Sequence, residues 1–271
     1  MVETESAAEP ESPAPSPRRR WWQRLLRGPA FVVVGLVAAL TGIAAPALWN
    51  AARDASRPPV LVWASSDGGQ LDDHSYALPE VVSRQQAAEI GTPEQFLSDS
   101  PVLRRSVKAG VHGTTVTIEG ARSRDVVITS MHARILSREP DIDGTLFCIP
   151  PQGGLPAEKI GFDLDEFRPA ARVLDGGKLG GPYFADQAQQ LADGETVVFQ
   201  VESRAARGHY RWVIDVDLVI DGTPQTYTAK PAGGEFEMSG VSDHYGSVFN
   251  WSGRDGWTFP DPARNPAGSC G

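Results

Sequence analysis

Arg18-Arg19-Arg20-Trp21-Trp22-Gln23-Arg24-Leu25-Leu26-Arg27 runs straight into a stretch from Gly28 to Ala52 that carries no charged side chain. A run of that length and polarity suits a bilayer, whose hydrocarbon core takes about 20 helical residues. The arginines precede it, so the positive-inside rule places the N-terminus in the cytoplasm and the rest outside. Trp22 and Trp49 stand 27 residues apart, roughly 40 Å along a helix, which matches a bilayer with its interfacial zones. Arg18, Arg19, Arg20, Trp21, Trp22 and Trp49 are therefore the expected membrane-interface residues. A cleaved signal peptide, cut near Ala45-Pro46-Ala47 or Trp49-Asn50-Ala51-Ala52, is the alternative. Its apolar region is usually shorter, and proline fits its cleavage site poorly. An uncleaved signal-anchor is the expectation.

Four segments follow from this reading. Residues 1–27 form a disordered cytoplasmic tail with a basic juxtamembrane end, and residues 28–49 a transmembrane helix. Residues 50–103 form a linker and helical lead-in, and residues 104–271 a β-sandwich domain. The tail, rich in Glu, Ser, Ala and Pro, has too few large apolar side chains to offset the entropy of folding. The chain is acidic, with a net charge of −9, and nucleic acid is not an expected partner. The bilayer is the one partner the sequence names. Another envelope protein or a cell-wall polymer is the expected class for the outer part. Both cysteines, Cys148 and Cys270, fall outside the membrane, where an even count in an oxidising setting predicts a disulfide.

Helix signals are confined to the lead-in. Pro79 to Ile90 holds helix formers with Gly91 as a stop, and Thr92-Pro93-Glu94-Gln95 reads as a capping box. From about Val107 the period becomes that of strands. Thr114–Glu119, Asp125–Met131, Ala133–Leu136, Gly144–Ile149, Thr196–Glu202, Tyr210–Ile220 and Thr226–Ala229 are short β-branched runs, and Pro59–Trp63 precedes them. Asp221-Gly222 is a hairpin signal. Within Tyr210–Ile220, Trp212, Ile214, Val216 and Leu218 are expected to face a core, with Arg211, Val213, Asp215 and Asp217 on a wet face.

The stretch Ala192-Asp193-Gly194-Glu195-Thr196-Val197-Val198-Phe199-Gln200-Val201, followed by Gly208-His209-Tyr210-Arg211-Trp212, resembles bacterial immunoglobulin-like domains. In that resemblance Tyr210 is the corner tyrosine and Trp212 stands where antibody domains have cysteine. The whole arrangement is similar to single-pass membrane proteins of actinobacteria, in keeping with arginine over lysine and abundant Ala, Gly and Pro. The implied fold is mainly β: one transmembrane helix, then an extracytoplasmic immunoglobulin-like antiparallel sandwich with a short helical lead-in. The resemblance supplies no catalytic residue, since this sandwich hosts unrelated activities.

Chemistry is sparse. The histidines, at 74, 112, 132, 209 and 244, lack metal-ligand spacing, and HExxH, zinc-type cysteine pairs and GxSxG are absent. No catalytic residue, metal or cofactor is expected. The acidic pairs Asp72-Asp73, Asp141/Asp143, Asp163/Asp165 and Asp215/Asp217 fit no EF-hand loop and read as turn and surface residues. Arginines 104, 105, 122, 124 and 204–211 are expected to pair with nearby carboxylates. The aromatic C-terminal segment remains. Tyr245, Trp251 and Trp257 among Asn, Asp and Arg suit stacking on sugar rings, while the alternative is that they plug one end of the sandwich. The expected function is thus a non-enzymatic binding domain of the cell envelope. A cell-wall carbohydrate-binding module and an unrecognised envelope hydrolase are the alternatives.

Overall fold

The alternation in Tyr210–Ile220 builds the longest pairing in the described structure. Strand β12 (His209–Ile220) runs antiparallel to β5 (Val126–Glu139) along its whole length. Its other edge takes β13 (Thr223–Ala229) and then β14 (Phe236–Ser239). Asp221 and Gly222 turn the β12–β13 hairpin with φ of 52° and 75°, the primed-turn geometry that matches strand twist. Trp212, Ile214, Val216 and Leu218 are buried as expected, but the opposite face is not wet throughout: Val213 and Asp215 are buried too. Neighbours on both edges cover them, and Asp215 is held by Arg134 from β5 and Thr228 from β13.

This computed structural model describes residues 58–66, 74–121, 126–149 and 159–259, with Trp49 and Cys270. Two compact units, Met1–Ser56 and Arg57–Gly271, divide the chain. The tail and transmembrane helix expected at 1–49 lie outside the described residues except for Trp49. Among the described residues no helix is long and apolar enough to cross a membrane.

The second unit is mainly β, its strands laid out as a sandwich. The smaller sheet has the order β1 (Val60–Ser65), β4 (Val111–Gly120), β11 (Thr196–Arg204), β7 (Lys159–Asp163), β8 (Arg172–Asp175), β9 (Lys178–Pro182). The larger runs β10 (Gln189–Leu191), β5, β12, β14, β3 (Val107–Ala109), β2 (His74–Leu78), β6 (Thr145–Ile149), β15 (Ser247–Ser252), β16 (Gly256–Thr258), with β13 beside β12. Most neighbours are antiparallel, but β7–β11, β3–β14 and β6–β15 are parallel. Parallel neighbours require long connections, which strand periodicity does not reveal.

The larger sheet serves two cores. Its β5–β12 part faces the smaller sheet, where Val116, Ile118, Phe199 and Val201 pack with Trp212, Ile214, Val216 and Leu218. Its β2–β6–β15–β16 part is covered by two short helices, α1 (Arg84–Glu89) and α2 (Pro93–Asp99), with Phe96 buried among Tyr76, Phe147 and Trp257. Gly110 is the corner between the two sheets: the chain leaves β3 in the larger and enters β4 in the smaller. Its φ is 76°, and an added Cβ would lie 3.0 Å from Val241, so a side chain there meets both strain and crowding.

The lead-in therefore belongs to the sandwich unit. The sequence reading starts the β domain at 104, yet β1 pairs with β4 and β2 is an inner strand of the larger sheet. The first helix is also shorter than Pro79–Ile90. Thr145 on β6 accepts from the Val82 amide and donates to the Glu80 carbonyl, pinning that segment to the sheet. The helix then starts at the better cap, Ser83, in a capping box with Gln86. Thr92 and Gln95 form the second capping box as read from sequence. Thr92→Ala is expected to cost about 1 kcal/mol in chemical denaturation, the usual cost of losing such a cap.

Candidate functional site

Trp251, Trp257 and Phe259 come to rest around α1. Strands β15 and β16 pair antiparallel, setting Trp251 opposite Trp257 with ring centroids 5.2 Å apart. Trp257 is only 8% exposed. Its indole Nε1 donates to the Gly91 carbonyl at 2.8 Å, which ties β16 to the turn between the helices. Trp257 is thus core, wedged on Phe96 and Phe147. Tyr245 is elsewhere: it packs with Leu146, Cys148 and Val248, whereas Phe147 and Ile149 of the same strand pack with Trp257. By strand alternation those are opposite faces. The hydroxyl of Tyr245 accepts from the Ser242 amide, and burial raises its pKa above the ordinary phenol value. Tyr245 therefore shares no binding surface with Trp251 and Trp257.

Trp251 alone of the three remains half-buried at a groove. That groove, of about 590 Å³, is lined by Arg84, Gln85, Ala88, Gly91, Trp251, Asp255, Gly256, Trp257 and Phe259. Its wall is apolar and aromatic, with Arg84, Gln85 and Asp255 as polar groups. The Arg84 guanidinium lies 4.8 Å from the centroid of Phe259, a cation–π placement that orients both. Arg84, Gln85 and Phe259 are absent from the sequence-level candidates. The cap at Ser83 is the signal that would have found Arg84, since it fixes the first turn of α1. A second groove of about 580 Å³ lies on the other side of α1, between Gln86, Ile90, Gln95 and Val102.

Most charged groups are committed to holding the fold. Arg134 and Thr228 bond the Asp215 carboxylate, and His132 lies 3.8 Å from it. Burial opposes ionisation of Asp215, but these partners outweigh burial and hold its carboxyl below the ordinary value. Asp165 accepts from the Tyr210 hydroxyl at 2.7 Å and from the Ala206 amide. Tyr210 is buried at the start of β12, and desolvation with the Asp165 contact raises its phenol pKa. Its hydroxyl thus goes to a carboxylate, where the corner-tyrosine reading expects a backbone carbonyl. Asp141 accepts from the Gly208 amide, and Asp163 from the Asp165 amide. The arginines pair as expected: Arg105 with Glu80, Arg204 with Glu202, Arg207 with Asp243, Arg211 with Glu237. Asp72, Asp73, Arg122 and Arg124 lie outside the described residues. Among the described residues no three His, Cys, Asp or Glu groups converge as metal ligands.

One polar cluster is interior. His112 on β4 bonds Thr114 at 3.2 Å and meets Trp212 and Phe236 edge-on. Burial, helped by the charge of Lys108, pushes its pKa down to about 4. Ser203, its cross-strand neighbour on β11, and the Trp212 indole nitrogen are buried without a hydrogen-bond partner. Finally, Cys148 on β6 and Cys270 form a disulfide, Cα to Cα 5.3 Å, and the Ser75 hydroxyl donates to the Cys270 sulfur.

No family model matches this chain, and no curated protein matches it. Among solved structures, one similar to it is a protein assigned as ApaA from Bordetella pertussis, at 15% identity and a TM-score of 0.28, covering 66% of this chain and 92% of that one. A likeness of that strength carries no inference about fold or function.

Proposed function

We propose that the chain is a membrane-tethered, extracytoplasmic binding domain of a bacterial envelope, without catalytic chemistry of its own. A single uncleaved helix at 28–49 would hold it, with the N-terminus in the cytoplasm and an immunoglobulin-like sandwich outside. The observation that carries this reading is the Cys148–Cys270 bond, because such bridges persist in oxidising compartments. It agrees with the direction set by Arg18 to Arg27. The immunoglobulin-like assignment rests on Trp212, buried at the start of β12 directly after the β11 strand, while Tyr210 bonds Asp165 and does not make the corner bond. The ionisable groups nearest one another are engaged in pairs that brace loops and strands, which suits a binding domain better than a hydrolase.

Alkaline carbonate extraction of membranes tests the tether. The full chain is expected to stay in the pellet, and release into the supernatant would sink the proposal.

A second reading is favoured by one feature, the half-buried Trp251 in a groove with Arg84, Gln85 and Asp255. An aromatic face flanked by such groups suits a sugar ring of a cell-wall polymer. Sedimentation with purified peptidoglycan decides between the two. The carbohydrate reading expects retention that falls on the order of 10-fold with Trp251→Ala, matching about 1.4 kcal/mol of lost contact. Retention unchanged by that substitution, or no retention at all, leaves the first reading alone.

A further inference from the structure

The smaller sheet has an apolar patch on its solvent side. Strands β1, β4 and β11 are adjacent, and their register sets Trp63 opposite Thr117 and Thr117 opposite Val198. Leu61 stands one pair away, opposite Glu119. Residues in register share a face of the sheet. The inner face is already served by Val60, Val116, Ile118 and Phe199. Leu61, Trp63 and Val198 therefore point the other way, and they are 36%, 48% and 53% exposed. Three large apolar groups in one patch, one of them tryptophan, are costly on a face that only meets water.

We propose that this face of the smaller sheet seats on the outer leaflet of the bilayer. The inference rests on the tether reading given above, and chain length keeps the patch within reach of the bilayer. Trp49 ends the expected helix at the membrane–water interface, and Leu61 follows 12 residues later. An extended segment of that length spans at most roughly 40 Å. Strand β1 is the first after the tether, so the strand carrying Leu61 and Trp63 is the one fed directly from the membrane. The chemistry matches an interface. Tryptophan favours the headgroup level, and Thr115, Thr117 and Thr196 on the same face can hydrogen-bond headgroups. Among the described residues the patch holds no unpaired basic cluster: Arg204 is paired with Glu202 and Arg172 with Glu166. Seating is thus driven by apolar burial and does not depend on anionic lipid.

The test uses the full chain in nanodiscs of zwitterionic phosphatidylcholine, with a nitroxide at Val198→Cys or, as control, at Leu136→Cys. Leu136 is also exposed but belongs to the other sheet. The native cysteines are bonded to each other and leave the new thiol as the labelling site. Accessibility to lipid-soluble oxygen relative to a water-soluble nickel chelate is read for each label. The proposal expects a ratio several-fold higher at 198 than at 136, unchanged by about 0.5 M salt, and lowered toward the control by Trp63→Ser. Equal ratios at both sites, in a chain that resists carbonate extraction, overturn the seating and leave the tether intact. Spin–spin broadening at 198 overturns it in favour of contact between two copies. Release of the chain by carbonate overturns both.

Discussion

Cys270→Ser is expected to destabilise the second unit by about 5 kcal/mol, the largest effect of any single substitution considered. The bridge joins residues 122 apart in sequence. Chain-entropy reasoning assigns about 5 kcal/mol to a loop of that length, a large share of the roughly 5–15 kcal/mol that stabilises a domain. Placement adds to the expectation. Cys148 lies on β6, between β2 and β15, in the part of the larger sheet whose other face carries the two helices. Without the bridge that strand keeps its hydrogen bonds but loses its covalent link to the C-terminal end. Denaturant unfolding with and without reductant is the measurement. Reduced wild type and Cys270→Ser should coincide, both well below the oxidised protein. A difference under about 1 kcal/mol would show that the unfolded chain is not constrained as argued.

Lowering the pH from about 7 to 4 is expected to remove about 3 kcal/mol of stability through His112 alone. Its pKa is about 4 in the fold against 6.5 for the free side chain, and each unit is worth about 1.4 kcal/mol. The folded state keeps the ring neutral between Trp212 and Phe236, while the unfolded state takes up a proton below pH 6.5. Stability from this group is thus full above about 6.5 and fades as pH falls to about 4, below which both states are protonated. Asp215 acts in a lower window. Its carboxyl lies below the ordinary 3.8, so its contribution is present above 3.8 and fades as pH falls through the lower folded value. His112→Gln, which cannot titrate, should flatten the stability curve between pH 6.5 and 4 and leave the steeper acid limb in place. An unchanged slope in that window would mean that the ring is hydrated or protonated in the fold.

Why some of this was readable in the sequence and some was not follows from the range of each signal. Local signals held. The Thr92 capping box, the Asp221-Gly222 turn and the inward set Trp212, Ile214, Val216 and Leu218 are set by neighbours within a few residues. The cysteine pair was legible because only two cysteines exist. Signals that depend on distant chain were lost. Strand β3 has just three residues, and the parallel partners of β7, β3 and β6 arrive over long connections. Asp215 looked like a solvated charge because sequence does not show Arg134 and Thr228 closing over it. At the candidate site, sequence grouped Tyr245, Trp251 and Trp257 by proximity along the chain. Strand alternation then separated Tyr245 from the two tryptophans, and the Trp257–Gly91 bond buried Trp257, leaving Trp251 beside Arg84 from a helix 167 residues earlier.

The Leu61–Trp63–Val198 patch has the same origin. Alternation along β1 puts Leu61 and Trp63 on one face, but only the register with β4 and β11 adds Val198 and shows that the face is outward.

The central claim is that this sandwich stands outside the cell on a single helix. A reporter that is active only outside the cytoplasm, fused after Gly271 in one strain and before Arg18 in another, tests it most directly. The account predicts activity from the first fusion and none from the second; the reverse pattern would contradict it.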